Sequence, residues 1–414
     1  MRVITAAAAG ALVAALMGTA AQAAPSVQTA PGTPTRPILS AAEAAPFTPE
    51  NYWRWSGLYA APTVDPWRPR PIAKARPDYV VGGRRGLPTV QDAVDAAYRD
   101  GGTIRRYIAI LPGTYTGTVF IPAGSPPVTL YGVGDPADVR LEFTVDATIT
   151  PAAWAALVNP DGRYAEGDPA WPMFQSCAVK TSATAGLCAT VVWAQSTDLQ
   201  LKGLTITNTL LDTVDRGTHQ ALALRTDADR TQLEDMRLIS RQDTLLTNAD
   251  DVARIARVSV KDSYIEGDTD FVFGRAAAVF DRCRFHLVSS RKSSGGVIFA
   301  PNTAPAWPYG FLVTHSRITA DDGYVAAPTG FLGRAWDQGA SATGYVPGST
   351  PNGQLVIRES YLGAGFNVGT PWAPAATTAR PFTARVDEGR DLNDVNFNRL
   401  WEYANRGQAA AGPV

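Results

Sequence analysis

From about residue 107 onward the chain is built of short apolar runs broken by Gly, Asn, Asp and Ser, a pattern that predicts strands. The earliest runs are 107–111, 118–122, 128–131 and 139–143. One stretch before them is different: Val90, Ala93, Val94 and Ala97 recur at helical spacing, with Thr89 placed to cap the start and Gly101-Gly102 to stop the end. A single short helix is expected there, in a position to cover the open end of whatever the strands build.

The strand pattern repeats itself. Leu201-Lys-Gly-Leu-Thr-Ile206 recurs in looser form as Leu233-Glu-Asp-Met-Arg-Leu238, Val260-Lys-Asp-Ser-Tyr-Ile265, Phe280-Asp-Arg-Cys-Arg-Phe285, Val313-Thr-His-Ser-Arg-Ile318 and Ile357-Arg-Glu-Ser-Tyr-Leu362. The last apolar positions of these units are 32, 27, 20, 33 and 44 residues apart. Unequal spacing around a constant core means stacked coils with loops of different length. The expected fold is therefore all-β, a parallel β-helix capped by the early helix. An antiparallel sandwich would call for hairpin turns every 8–12 residues instead of one repeated motif per coil.

Around this body, residues 25–78 are rich in Pro and Ala with isolated Trp53, Trp55 and Trp67, and are expected to form an irregular lead-in that wraps the solenoid of 79–414. Residues 144–198 break the period and are expected to be an insert. The segment Leu400-Trp-Glu-Tyr-Ala-Asn405 is expected to cover the far end or lie along the side.

Candidate chemistry gathers on Glu266-Gly-Asp-Thr-Asp-Phe-Val-Phe-Gly274, an acidic turn running into an aromatic strand between two glycines. Asp268 and Asp270 taken alone are ordinary turn residues. Their company changes the reading: Gln242-Asp243 lies upstream, Gln220 before that, and Arg334-Ala-Trp336 downstream. With one coil per 20–30 residues, Gln220, Gln242-Asp243 and Asp270 fall on three successive coils and can form one column, neighbouring strands being about 4.8 Å apart. Two carboxyls so close cannot both ionise freely, which produces an acid and a base. Arg334 can hold one as a carboxylate, and two glutamines can supply neutral donors to an oxyanion. A plain ladder of stacked polar side chains is the structural alternative.

Composition narrows the class by exclusion. Lys and Arg number 37 against 38 Asp and Glu, a formal charge of −1, with no basic block. Neither a nucleic-acid footprint nor a membrane-surface patch is indicated. Residues 1–24, with one positive charge, an apolar alanine-rich middle and small residues at the end, read as a secretory signal peptide cleaved after Ala23 or Ala24. No cysteine follows it, so a lipid anchor there is excluded, and a secreted or periplasmic protein without a membrane span is expected. In an exported chain Cys177 and Cys188 are expected to bridge, leaving Cys283 as a buried thiol. With His219, His286 and His315 scattered, no metal site is indicated and no cofactor is expected. A serine esterase of the α/β-hydrolase class is disfavoured because no Gly-x-Ser-x-Gly occurs.

The segments His219-Gln-Ala-Leu-Ala-Leu224, Arg241-Gln-Asp-Thr-Leu245, Gly267-Asp-Thr-Asp-Phe-Val-Phe-Gly274 and Leu332-Gly-Arg-Ala-Trp336, in that order, resemble the signature segments of the pectin methylesterases. The resemblance runs from Gly113-Thr-Tyr115 to the Trp401-Glu-Tyr-Ala-Asn-Arg-Gly407 tail. It is nearest to a bacterial subgroup of outer-membrane lipoprotein pectinesterases, some members of which are described as acyl-CoA thioesterase-like. It implies a right-handed parallel β-helix that hydrolyses C6 methyl esters of galacturonan, with pectin as its partner and the monomer as its working state. It further implies Asp270 as nucleophile, Asp243 as general acid/base, Gln220 and Gln242 at the oxyanion, Arg334 orienting Asp270, and Trp336 and Phe273 against sugar rings. For Phe273, core packing is an equal alternative. Two departures stand out: Ala335 replaces the family's usual proline, which is expected to loosen the Arg-Trp loop, and the subgroup's lipid-anchor cysteine is missing. A polysaccharide lyase and a catalytically silent carbohydrate- or acyl-binding solenoid are the competing readings; a lyase would need Ca²⁺ and a basic proton abstractor, which these segments do not offer.

Overall fold

The computed structural model describes residues 30–55, 65–249, 251–252, 254–340 and 344–411. The predicted signal peptide lies outside the described residues. Among the described residues, three parallel sheets of ten, eight and seven strands run the length of the body, and the chain visits them in turn. Each strand pairs with its counterparts one coil before and after, so the fold is a right-handed parallel β-helix whose walls are the three sheets.

The repeat seen in the sequence is the corner between the first and second sheets. Its first apolar positions stack as a ladder in the first sheet, Leu201 on Leu233, Val260, Phe280, Val313 and Ile357. Its last positions stack in the second sheet, Ile206 on Leu238, Ile265, Phe285, Ile318 and Leu362. All these side chains are buried in one continuous core. The third residue of every unit turns the corner: Gly203, Asp235, Asp262, Arg282, His315 and Glu359 all have φ between 49° and 66°. In five of them the amide at that residue donates to a carbonyl of the next coil at 3.0–3.1 Å, which holds the left-handed turn.

The predicted helix is Val90–Asp100, with Thr89 and Asp92 forming a reciprocal capping box and Gly101 at its end. Its Val90, Ala93, Val94 and Ala97 join the solenoid core and close the end of it. Three expectations are modified. The lead-in carries an antiparallel pair, Gly32–Thr33 with Arg36–Pro37, and short helices Ala41–Ala44 and Pro49–Arg54. Leu39, Phe47, Tyr52 and Trp55 from it pack on the outer side of the first sheet against Val279, Leu312 and Trp401. The tail Arg399–Tyr403 is a further strand of the first sheet, paired with Gln354–Arg358, and not an end cover. Last, the insert ends before residue 190, because Thr190–Ala194 is a strand of the third sheet between Val119–Ile121 and Leu222–Thr226. Ahead of that strand the insert holds helices Pro151–Val158 and Trp171–Ala178 around a core of its own, and Cys177 is bonded to Cys188. Cys283 is a free, buried cysteine whose thiol burial pushes up to about 12.

Candidate active site

The candidate residues meet at the corner between the second and third sheets. Three bridging positions stack there: Gln220 on Gln242, and Gln242 on Thr269. Asp243 and Asp270 each follow one residue later, and the Asp243 amide donates to the Thr269 carbonyl at 3.0 Å. The expected single column is therefore two adjacent columns, glutamines beside aspartates. The shift of one residue matters, because successive side chains leave a strand on opposite sides. Both aspartates restore a shared direction by adopting left-handed backbone, φ 68° at Asp243 and 47° at Asp270. Such conformations are tolerated by Asp better than by most residues and persist where the surroundings over-determine them.

The turn carrying Asp270 is held from several sides. A Cβ on Gly274 would lie 1.9 Å from the Thr247 carbonyl oxygen, which is why the strand ends on glycine. Asp268 is completely buried, and Arg291 donates to both of its oxygens at 2.8 Å. The same guanidinium donates to the carbonyls of Asp215 and Gly217, tying the turn to the loop before Gln220. Of two aspartates two residues apart, one is thus an internal tie and the other faces the cleft. Arg291 was not recognised from the sequence. Its signal was the Arg291-Lys292 pair inside a Ser/Gly-rich loop one coil after the acidic turn.

Asp270 and Arg334 form a two-pronged contact, Nε to Oδ1 at 2.8 Å and Nη2 to Oδ2 at 2.5 Å. Burial works against the Arg334 charge, yet the neighbouring Asp270 outweighs it and the net shift of the guanidinium is upward. Asp243 is 4% exposed. Burial first, and the charge of Asp270 second, push its carboxyl well above the usual carboxylate range, while a bond from the Gln220 side chain pulls less strongly the other way. One carboxyl is thus kept protonated beside another that is matched to a permanent cation.

The glutamine amides are oriented as well as placed. The His219 amide donates to Oε1 of Gln242 at 3.0 Å. An N–H must face an acceptor, so the Gln242 amino group points away from His219. The His219 ring is in turn held by Asp146 of the insert at 2.7 Å and by Asp215 at 3.1 Å. Lys292, unnoticed in the sequence, donates to the Thr269 hydroxyl at 3.2 Å; burial lowers its pKa.

Beside the aspartates opens a cleft of about 320 Å³. Phe273 and Trp336 form part of its wall, their ring centroids 5.7 Å apart. Phe273 is 3% exposed and packs with Leu222, Leu246 and Ala300, so it supports the wall from within, and Trp336 is the more accessible ring. The insert contributes Gly186 and Leu187 to the lining, and Ala376 and Thr377 line it as well. Ala335 does not loosen its segment: main-chain bonds run from Arg334 to Phe299, from Trp336 to Pro301 and from Ala376 to Ala335, all at 2.8–2.9 Å.

The family model described as pectinesterase matches residues 173–345. Pectinesterase B of Dickeya dadantii (strain 3937) is 53% identical over 389 residues, covering 90% of this chain and 90% of that one. The putative acyl-CoA thioester hydrolase YbhC of Escherichia coli (strain K12) is 45% identical over 403 residues, covering 92% and 90% respectively. Among solved structures, rice weevil pectin methyl esterase is similar with a TM-score of 0.84 at 40% identity, covering 92% of this chain and all of that one. Likeness of this extent, over a parallel β-helix that brings the four segments to one corner, makes this chain a member of the pectinesterase family.

Proposed function

We infer that this protein is a pectin methylesterase, which hydrolyses C6 methyl esters of galacturonan to methanol and free carboxylate. The observation that carries the reading is the unequal carboxyl pair, with Asp243 buried and protonated and Asp270 gripped by Arg334. In the proposed sequence, an Asp270 oxygen attacks the ester carbonyl carbon and the carbonyl electrons move to oxygen. The Gln242 amino group, aimed by His219, and the Gln220 amide stabilise that oxyanion. As the carbonyl re-forms, the bond to methoxide breaks and Asp243 gives its proton to the leaving oxygen, releasing methanol. The remaining species is an anhydride between Asp270 and the galacturonate. Asp243, now a carboxylate, takes a proton from water as the water attacks, which frees the acid product and restores both carboxyls. Arg334 fixes the attacking carboxylate throughout, and Trp336 packs against a sugar ring with Phe273 behind it.

The same reading places the protein outside the cytoplasm as a secreted or periplasmic monomer. Among the described residues no helix is long and apolar enough to cross a membrane. Thioester cleavage is the second reading, raised by the likeness to the Escherichia coli protein of that description. The deciding experiment measures methanol from methylated oligogalacturonides, with and without a chelator, beside hydrolysis of an acyl-CoA. Methanol release that survives the chelator and disappears in Asp270→Ala, with the fold of the variant intact, is the expected result. Efficient thioester cleavage without methanol from any pectin would overturn it.

A further inference from the structure

The sequence holds no basic run, but the coil register builds a basic row on the outer face of the second sheet. In each coil the residue just before the buried ladder side chain points outward. Stacked from strand to strand, that position is arginine in five places of eight, at Arg140, Arg237, Arg284, Arg317 and Arg406, with Tyr264 and Tyr361 in two of the others. All five arginines are exposed. Seven strand spacings separate Arg140 from Arg406, so at about 4.8 Å each the row extends roughly 34 Å along the solenoid.

The charge of the row is uncompensated. Arg284 and Arg317 lie directly opposite each other on neighbouring strands, where like charges are unfavourable and opposite ones would stabilise the sheet. Among the described residues Arg237, Arg284, Arg317 and Arg406 have no carboxylate partner, and Arg140 has Glu142 at 3.7 Å. The acids nearby are engaged elsewhere, Glu266 by Arg241 and the Tyr264 hydroxyl, Asp262 by Arg282. Arg237 lies over the Tyr264 ring at 5.1 Å and Arg317 over the Tyr361 ring at 4.4 Å. An aromatic face steadies a guanidinium without neutralising it, so these cations stay available to an anion.

A single file of cations suits a linear polyanion better than a membrane surface. The outward row beside it is Glu142, Thr207, Ile239, Glu266, His286 and Thr319, which offers one aliphatic side chain to lipid. We propose that the arginine row binds free-carboxylate stretches of galacturonan, apart from the catalytic cleft, and so holds the enzyme on polymer that it has begun to de-esterify. None of the row's residues lines the cleft. The occupant rests on the esterase reading above: ester cleavage turns an uncharged chain into one that carries carboxylates along its length. Attachment through the row therefore strengthens as the reaction proceeds.

The test reverses the row with the double variant Arg284→Glu, Arg317→Glu, and neutralises it with Arg284→Gln, Arg317→Gln. Urea unfolding confirms that both variants are folded. Methanol release gives kcat and KM on a long, partly de-esterified pectin and on a fully methylated hexagalacturonide, which has no carboxylate for the row. Equilibrium binding of unesterified polygalacturonate is measured on the same proteins. With two exposed ion pairs turned into repulsions, KM for the long polymer should rise roughly tenfold at low salt in the glutamate variant and about threefold in the glutamine variant. The wild-type advantage should fade as NaCl is added, and polygalacturonate binding should weaken in the same order as KM rises. Both constants on the hexamer should stay as in the wild type. A polymer KM unchanged in both variants, or polygalacturonate binding equal in all three proteins, would overturn the row as a binding site and leave the esterase reading standing. An equal rise in KM on the hexamer would also overturn it, because the charge change would then be acting in the cleft. Arginine-dependent binding to phosphatidylglycerol vesicles without binding to polygalacturonate would overturn it in favour of a membrane surface. If the glutamate variant does not fold, the glutamine variant decides. If the wild type releases no methanol from either substrate, the esterase reading falls and polygalacturonate binding alone decides the row.

Discussion

Asp243→Asn should abolish ester cleavage and at the same time stabilise the protein near neutral pH. An unfolded aspartate ionises near the ordinary value of 3.8, whereas the folded Asp243, 4% exposed and beside Asp270, is held protonated to much higher pH. The folded state therefore binds more protons than the unfolded state between those two values. Stability from this group is complete below the unfolded pKa and is lost as pH rises through the folded one, at up to about 1.4 kcal/mol per pH unit. Asparagine keeps the volume, can still bond the Gln220 side chain, accepts the φ of 68° and does not titrate. The difference in unfolding free energy between variant and wild type should thus grow in favour of the variant as pH rises above about 4, then level off once the wild-type carboxyl ionises. Urea unfolding at one-unit steps from about pH 4 to 8 measures it, with methanol release recorded on the same samples. In the wild type the rate should fall on the alkaline side as Asp243 loses its proton. Parallel stability curves for the two proteins would refute the claim that Asp243 is buried in the neutral form, and with it the assignment of the acid.

Gln242→Ala should lower kcat by roughly 10²–10³ with little change in KM, as removal of one oxyanion donor does; a loss confined to KM would make Gln242 a ground-state binding residue. Thiol titration of the denatured, unreduced protein should find a single reactive cysteine, Cys283, and three thiols would contradict the Cys177–Cys188 bond. Arg36→Ala should cost about 3–5 kcal/mol in chemical denaturation, because it strands Glu402, whose side chain is 2% exposed and both of whose oxygens Arg36 engages. A loss within about 0.5 kcal/mol would mean that water reaches the pair and that the lead-in is not clamped by it.

The solenoid was legible because its coils stack like on like. Ile206, Leu238, Ile265, Phe285, Ile318 and Leu362 could be picked out by local similarity, and each lies on the next in the second sheet, since a strand one residue off register would turn its polar positions to the core. The four segments of the site were legible for the same reason, being tied to particular coils. What escaped depends on contacts between loops. Asp268 and Asp270 look alike in sequence, and only Arg291, reaching back from the following coil, makes the first an internal tie. The observed insert is shorter than the expected one because the apolar run Thr190–Ala194 carries no sign in the sequence that it pairs with Val119–Ile121 across the whole insertion.

Left-handed backbone serves two purposes in this fold, and the contrast explains why the aspartates sit where they do. At the first corner it recurs coil after coil, at residues as different as Arg282 and His315, and the side chain there is incidental. At the second corner it falls on Asp243 and Asp270 themselves, where it undoes the alternation of the strand and sends both carboxyls to the cleft side. A conformation that costs of order 1 kcal/mol at a non-glycine residue survives there because the main chain is fastened on both sides, from Asp243 to Thr269 and from Leu245 to Phe271 at 3.0 and 2.8 Å. The ladder thus supplies the stability that holds two carboxyl groups closer than they would sit in a free chain. In the proposed mechanism it is that enforced proximity, together with Arg334 on one side and burial on the other, that gives two chemically identical side chains the separate roles of nucleophile and acid.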